Sequence, residues 1–286
     1  MSNVAIFTDL DGTFIDFESY SGDASAQLAR SLAELNIPLF FCSSKTKNEQ
    51  KALMAELNLT CAGITENGSG FFLPKAFTFI KENPHDYDAN GDWVKNLGTT
   101  KQLIEQAIDT IAYQLHLDLK PYKNYTIEAL AQLTGLSPEA AERAQNRDFS
   151  ETLTAQLSPA QWNRVNQLLK IKQLQAVCGG RFHTVSSIQC DKGKALQQLM
   201  ALLEEQSQQK WISIALGDST NDLPMFQAAD YAYLVQKPDQ TWNPIHLPNL
   251  KKIAAPGPLG WIQAVTEVIK THAIPVAQSK TKKTLI

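Results

Sequence analysis

Apolar residues in this chain cluster into short dense runs separated by helical stretches. Residues 4–8, Val-Ala-Ile-Phe-Thr, are almost wholly apolar and stop abruptly at Asp9. A run of that kind, closed by a polar residue, reads as a buried strand of a parallel sheet. Residues 24–35 place Leu28, Leu32 and Leu35 at helical spacing, and Asn36-Ile37-Pro38 ends that helix before a second buried run, Leu39-Phe40-Phe41-Cys42. Residues 47–57 form a second helical stretch with Leu53, Met54 and Leu57 on one side, followed by Ala62-Gly63-Ile64-Thr65 and a turn at Glu66-Asn67-Gly68-Ser69-Gly70. Strand, helix, strand, helix, strand is the alternation of an open parallel α/β sheet.

The pattern changes near residue 83. Residues 84–92 are loop-like, and helical stretches follow at 99–117, 126–133, 138–146 and 159–170. Two β-prone runs, 171–177 and 181–185, flank Gly179-Gly180 and predict a hairpin, a connection that parallel strands cannot use. The alternation then resumes with a helix over 192–203, a buried strand over 211–216 ending in Gly217-Asp218, a helix from 224 to 229, a strand over 231–235 and a closing helix over 261–270. The chain therefore divides into a first core segment, 1–83, an inserted α+β segment, 84–185, and a second core segment, 186–286. The basic tail Ser279-Lys280-Thr281-Lys282-Lys283 reads as a solvated, frayed end.

Composition narrows the functional classes. The 286 residues suit two domains or one large one, and 43% hydrophobic residues suffice for a core, which excludes a disordered chain. With 26 Lys+Arg against 29 Asp+Glu, there is no field to attract nucleic acid or an anionic membrane. No apolar run approaches the roughly 18–20 residues of a membrane span, and the N-terminus lacks the basic start of a signal peptide. A cytoplasmic location is expected. Cys42, Cys61, Cys178 and Cys190 form no CxxC pair, and the His residues are scattered, so structural thiols are expected rather than zinc.

The candidate chemistry lies at strand ends. Asp9 and Asp11 follow the first strand, where open α/β sheets bind ligands, and residues two apart in an extended segment point the same way, so the pair can share a cation. An Asx-rich turn opened by Gly12 is the plainer reading of the same pentapeptide. Asp218 and Asp222 follow a second apolar strand, and an N-cap role for Asp222 leaves Asp218 unexplained. Two carboxylate clusters at neighbouring strand ends repel unless a divalent cation lies between them, and oxygen-only ligands suit Mg2+. Ser43 and Ser44 end the second strand, and Lys192 opens a helix, each suited to phosphate oxygens.

In order, Asp9-Leu10-Asp11-Gly12-Thr13, Ser43, Lys192 and Gly217-Asp218-Ser219-Thr220-Asn221-Asp222 resemble the four motifs of the haloacid dehalogenase-like phosphohydrolase superfamily. The resemblance covers both core segments. It implies a Rossmann-like parallel-sheet core with an inserted α+β cap that selects substrate. It also implies Asp9 as nucleophile, Asp11 as general acid/base, Ser43 and Lys192 as phosphate ligands, and Mg2+ held by Asp9, the Asp11 carbonyl and Asp218, with Asp222 a direct or outer ligand. Cys42-Ser43-Ser44-Lys45-Thr46 with Glu49, Glu66-Asn67-Gly68, Arg147-Asp148-Phe149-Ser150-Glu151, Gly180-Arg181-Phe182 and Gly257-Pro258-Leu259-Gly260-Trp261 look like the mannosyl-3-phosphoglycerate phosphatase subfamily. Leu259, where Glu is expected, and Thr152, where Pro is common, depart from its pattern.

That closer likeness implies a small phosphorylated sugar–glycerate as substrate and mannosylglycerate as product, from a monomer or weak homodimer with no nucleic-acid or membrane partner. A substrate with phosphate and carboxylate needs cations, expected from Arg147 and Arg181 with Lys45, Arg143 and His183 behind them, and Ser44 beside them. His183 alternates with Phe182 on the hairpin, so one faces the cleft or solvent and the other the core. Glucosyl-3-phosphoglycerate, sucrose phosphate or a hexose phosphate are the alternative substrates. A phosphomutase, or an idle binding module that would have lost Asp9 or Asp11, are the alternative functions.

Overall fold

The computed structural model describes residues 3–80, 87–179 and 181–272. The basic tail and the stretch 81–86 lie outside the described residues. Eight strands make one sheet in the spatial order β11-β10-β9-β1-β2-β3-β4-β5. Its centre is β1 (Asn3–Thr8), with β2 (Leu39–Cys42) and β3 (Ala62–Thr65) on one side and β9 (Trp211–Gly217), β10 (Tyr231–Gln236) and β11 (Leu250–Pro256) on the other. These six run parallel, with Thr8 beside Phe41 of β2 and Leu216 of β9. β4 (Gly70–Leu73) and β5 (Trp93–Asn96) continue the sheet in antiparallel pairs. The chain runs outward in both directions from β1, and at such a switch point the loops beyond the strand ends part to leave a crevice.

Both faces are covered, which explains why the central strands are apolar throughout rather than alternating. One face packs on α1 (Asp23–Glu34), α2 (Lys47–Glu56) and α9 (Gly257–His272), where Leu32, Met54, Trp261 and Val265 join Ile6 and Phe41 in one cluster. The other face carries α7 (Lys192–Ser207) and α8 (Leu223–Ala228), which bury Leu196, Leu199 and Phe226 against Phe7 and Phe40. Phe7 and Phe40 stack with centroids 4.5 Å apart, tying β1 to β2.

The inserted segment carries its own core. A three-stranded antiparallel sheet, ordered β6 (Glu151–Leu153), β8 (Phe182–Ser187), β7 (Leu174–Gly179), packs Leu153, Leu174 and Val185 against α3 (Lys101–Leu115) and α6 (Pro159–Ile171). The short helices α4 (Ile127–Thr134) and α5 (Pro138–Gln145) form a second cluster around Leu130 with Tyr122 and Phe182. The expected hairpin at 171–185 is present as β7–β8, but its first strand begins at Leu174 because α6 runs on to Ile171 and turns at Gln173, whose φ is +58°.

Residues 93–96, which the sequence pattern puts in the inserted segment, pair with β4 in the large sheet. Trp93 is buried there with its ring edge on Phe71, and that burial holds the strand to the core sheet rather than to the segment beyond. The sequence pattern does not predict β4, β6 or β11 either. β6 has only three residues, and β11 reads Leu-Lys-Lys-Ile, with two exposed lysines that suit an edge strand and mask the pattern.

Candidate active site

Asp9 leaves β1 with its N–H on the Leu216 carbonyl of β9, 2.9 Å, which fixes the backbone at the sheet's carboxyl edge. Its side chain is buried. Lys192, at the first turn of α7 and 1% exposed, reaches back so that its Nζ donates to Asp9 Oδ1 and Asp222 Oδ1, each at 2.6 Å. α7 is brought close by glycine: a Cβ at Gly193 would lie 2.2 Å from the Pro224 carbonyl oxygen. Burial disfavours the ammonium, but the two carboxylates outweigh it and hold the Lys192 pKa above its ordinary range.

Asp222 has both oxygens in use. Besides the lysine bond, its Oδ2 accepts the N–H groups of Asp218 and Ser219, each at 3.1 Å, so the carboxylate shapes the loop after β9. Gly217 is required for that closure, since a Cβ there would meet Asp222 Oδ2 at 2.4 Å. Gly12 plays the matching part after β1, with φ +79° and a notional Cβ 3.2 Å from Asp218 Oδ2. The two acidic loops therefore touch through glycine.

Asp9, Asp218 and Asp222 each offer a carboxylate oxygen, and these atoms lie within 4.8 Å of one another. Burial raises the Asp9 pKa well above the carboxylate range, opposed by Lys192 and assisted by Asp222 and Asp218. Burial, then the Asp222 charge, pushes Asp218 up to about 7. Three carboxylates against one ammonium leave an excess of negative charge, and an all-oxygen donor set of this kind fits a hard divalent cation. With Asp222 engaged on both oxygens, Asp218 and the second oxygen of Asp9 are the better placed donors. Asp11 stands apart from this group, its Oδ1 paired with Lys45 Nζ at 2.9 Å. Burial lowers the Lys45 pKa, but the charges of Asp11 and Glu49 and the Asp11 hydrogen bond together outweigh it and raise the value.

These groups open onto a cleft of about 240 Å³ between the sheet edge and the inserted segment. Asp9, Asp11, Lys45, Asp218 and Phe17 line its core side, and Arg147, Arg181, Phe182, Thr152 and Thr184 its far side. Ser44 lines the cleft, whereas Ser43 is buried beneath it, its Oγ accepting the Lys45 N–H at 3.3 Å. His183 is not among the cleft residues. It stacks on Trp162 with ring centroids 3.8 Å apart, on the opposite face of β8 from Phe182 and Thr184, as strand alternation requires. Arg143 is likewise absent from the cleft, and its carbonyl accepts the Thr46 hydroxyl at 3.1 Å.

The two arginines in the cleft differ sharply. Arg147 is buried and committed: Nε donates to Ser150 Oγ at 2.6 Å and Nη2 to the Ser44 carbonyl at 2.5 Å. Arg181 is exposed, with Nη2 on the Leu133 carbonyl at 3.0 Å, and is the freer cation.

Glu66 has a role that the sequence pattern does not report. It is buried and accepts the N–H of Asp148 at 2.9 Å, the N–H of Phe149 at 3.1 Å and the Ser150 hydroxyl, so a core carboxylate clasps a loop of the inserted segment. Asn67 beside it, with φ +58° and its N–H on the Ser43 carbonyl, buries a side-chain amide that has no hydrogen-bond partner among the described residues. A strained Glu-Asn-Gly turn straight after a buried strand was the available signal.

A parallel sheet with acidic loops at its switch point and an inserted segment over them defines a haloacid dehalogenase-type α/β hydrolase. The chain belongs to the haloacid dehalogenase-like hydrolase family, whose pattern it matches over residues 6–242. It is 34% identical over 92% of its length to a glucosyl-3-phosphoglycerate/mannosyl-3-phosphoglycerate phosphatase of Methanococcoides burtonii, covering 96% of that protein. It is 32% identical over 80% of its length to a mannosyl-3-phosphoglycerate phosphatase of Pyrococcus horikoshii, covering 89% of it. Among solved structures, a Synechocystis sucrose-phosphatase shares the fold at a TM-score of 0.58 and 15% identity, over 93% of this chain and 98% of that one. No helix among the described residues is long and apolar enough to cross a membrane.

Proposed function

We propose that this hydrolase releases phosphate from mannosyl-3-phosphoglycerate, and from its glucosyl counterpart, through an aspartyl-phosphate on Asp9. The observation that carries the substrate is the match, along nearly the whole chain, to relatives bearing those names. The geometry supports the chemistry. A carboxylate oxygen of Asp9 forms a bond to phosphorus while the ester P–O bond breaks, and Asp11 gives its proton to the departing glycerate oxygen. Asp11 then takes a proton from water, whose oxygen attacks phosphorus and breaks the bond to Asp9, releasing inorganic phosphate. Lys192 stays within 2.6 Å of Asp9 and offsets the charge of the phosphoryl group.

Mg2+ would be held by Asp218, Asp9 and the Asp11 carbonyl, with Asp222 as the group that orients them, and would offset phosphoryl charge when bound. Ser43 and Ser44 lie beneath and beside the phosphate position. Arg181 and Lys45 are the cations for the glycerate carboxylate, while Arg147 braces the cleft wall. The segment from α3 to β8 acts as the substrate-selecting cap.

The test is phosphate release with Mg2+ from mannosyl- and glucosyl-3-phosphoglycerate, sucrose 6-phosphate, hexose phosphates and 3-phosphoglycerate. A strong preference for the two glycosyl phosphoglycerates is expected. Equal, weak release from every compound would overturn the substrate and leave the phosphatase chemistry.

A further inference from the structure

The turn after β1 presents two aromatic rings that neither the phosphoryl chemistry nor the core uses. Phe17 is 47% exposed and Tyr20 50% exposed, yet both line the catalytic cleft. Two half-exposed aromatic rings lining one cleft offer apolar contact surface to whatever occupies it. Hydrogen bonds hold the turn that presents them. Asp16 Oδ1 accepts from the N–H of Glu18 at 3.1 Å and from the N–H and the hydroxyl of Ser19, each at 2.8 Å. The Asp16 N–H closes the turn on the Ser21 carbonyl, and Tyr20 is held at φ +56° with its N–H on the Asp16 carbonyl. A side chain in that left-handed conformation is strained, and such strain persists where the surroundings demand it.

The rings stand where the leaving group must emerge. Phe17 Cδ2 is 3.5 Å from the notional Cβ of Gly12, which itself lies 3.2 Å from Asp218 Oδ2, so this ring borders the acidic cluster. Tyr20 lies on the other side, with its ring centroid 5.8 Å from Lys45 Nζ, the ammonium paired with Asp11. The group that protonates the departing alcohol is therefore flanked by two exposed aromatic rings. Across the cleft the wall is mixed: Tyr122, Leu136, Ala144 and Phe182 give it apolar surface among Thr152, Thr184 and the two arginines.

We infer that Phe17 and Tyr20 form a stacking platform for the pyranose ring of the leaving group, placed on the core turn rather than on the inserted segment. This rests on the proposed reading of the substrate as a glycosyl phosphoglycerate. An aromatic face takes the C–H face of a sugar ring and forms no directed bond to the C2 hydroxyl, the group by which mannose and glucose differ. The platform therefore holds either sugar and discriminates against a substrate with no ring.

The test compares Phe17→Ala, Tyr20→Ala and Tyr20→Phe with the unaltered enzyme in Mg2+, on both glycosyl phosphoglycerates. KM rises about tenfold in each alanine variant, by the same factor for the two sugars, while kcat and the inhibition constant of inorganic phosphate stay unchanged. Tyr20→Phe keeps the ring and keeps the original KM. An unchanged KM in both alanine variants overturns the platform, as does a Tyr20→Phe variant that behaves like Tyr20→Ala. A loss confined to one of the two sugars also overturns it. Failure of the unaltered enzyme to hydrolyse either sugar phosphoglycerate is a different result, because it removes the proposed substrate itself. A weakened inorganic phosphate inhibition in the alanine variants would mean damage to the core site and would likewise overturn it.

Discussion

The two walls of the cleft are built on different terms. On the core side the charges are buried and interlocked: one ammonium holds Asp9 and Asp222, and Asp222 in turn holds two backbone N–H groups of the next loop. On the inserted side the wall is made of Thr152, Thr184, Phe182 and Leu136, with the exposed Arg181 as its freer charge. Phosphoryl transfer needs donors fixed before the substrate arrives, so its residues are tied to each other. Recognition of the rest of the molecule needs shape and a few placed contacts, and those residues are tied mainly to their own segment.

The largest effect should come from breaking the core wall. Asp9→Asn removes the nucleophile while keeping its shape, and turnover of any substrate should fall by roughly 10⁴-fold or more. Stability at neutral pH should not fall, because burial already disfavours the charged form of Asp9. Single-turnover phosphate release combined with thermal unfolding checks both halves. Appreciable turnover in this variant would remove Asp9 from the covalent step.

The next effect lies where the two walls meet. Glu66 is a core residue, yet its three donors belong to the loop 148–150, and Arg147 stands 3.7 Å away. Glu66→Ala strands those donors and a buried guanidinium, at a cost of about 3 kcal/mol. Hydrogen exchange should show the amides of Asp148 and Phe149 losing protection before those of β1 and β9. Uniform loss across both regions would mean that the clasp is part of the general core rather than a joint.

How much of this contrast could be read in the sequence follows the same division. The core motifs were legible because strand-end carboxylates, a helix-start lysine and apolar runs are local patterns, and the structure brings Asp9, Lys192, Asp218 and Asp222 together. The wall was legible only in part: Arg147 and Arg181 do line the cleft, but which face of β8 turns inward and what each arginine touches depend on packing. Phe182 and His183 are adjacent in sequence, and only the packing of His183 on Trp162 decides between them. Arg147 and Arg181 looked equivalent as cations, but burial and the Ser44 carbonyl make one a brace. The Glu66 clasp spans more than eighty residues of chain, a separation that no local pattern reports.

The smallest effect sharpens the comparison by titrating the core wall alone. Asp218 sits at about 7 against an ordinary value of 3.8, raised first by burial and then by Asp222. A carboxyl raised on folding contributes stability that is fully present below about 3.8 and is lost as pH rises through about 7, so the metal-free protein should weaken across that window. A divalent cation reverses the cost by taking the place of the proton. Apparent Mg2+ affinity should therefore strengthen by about fivefold between pH 6 and pH 7 and by about a further twofold by pH 8, as the ion displaces the Asp218 proton. Calorimetry in buffers of different ionisation enthalpy counts that proton directly. Thr152, Thr184, Phe182 and Leu136 of the inserted wall should contribute nothing to it, because they do not titrate. An affinity flat from pH 6 to pH 8 would place the cation away from Asp218. It would also reduce the acidic cluster to a structural lock around Lys192.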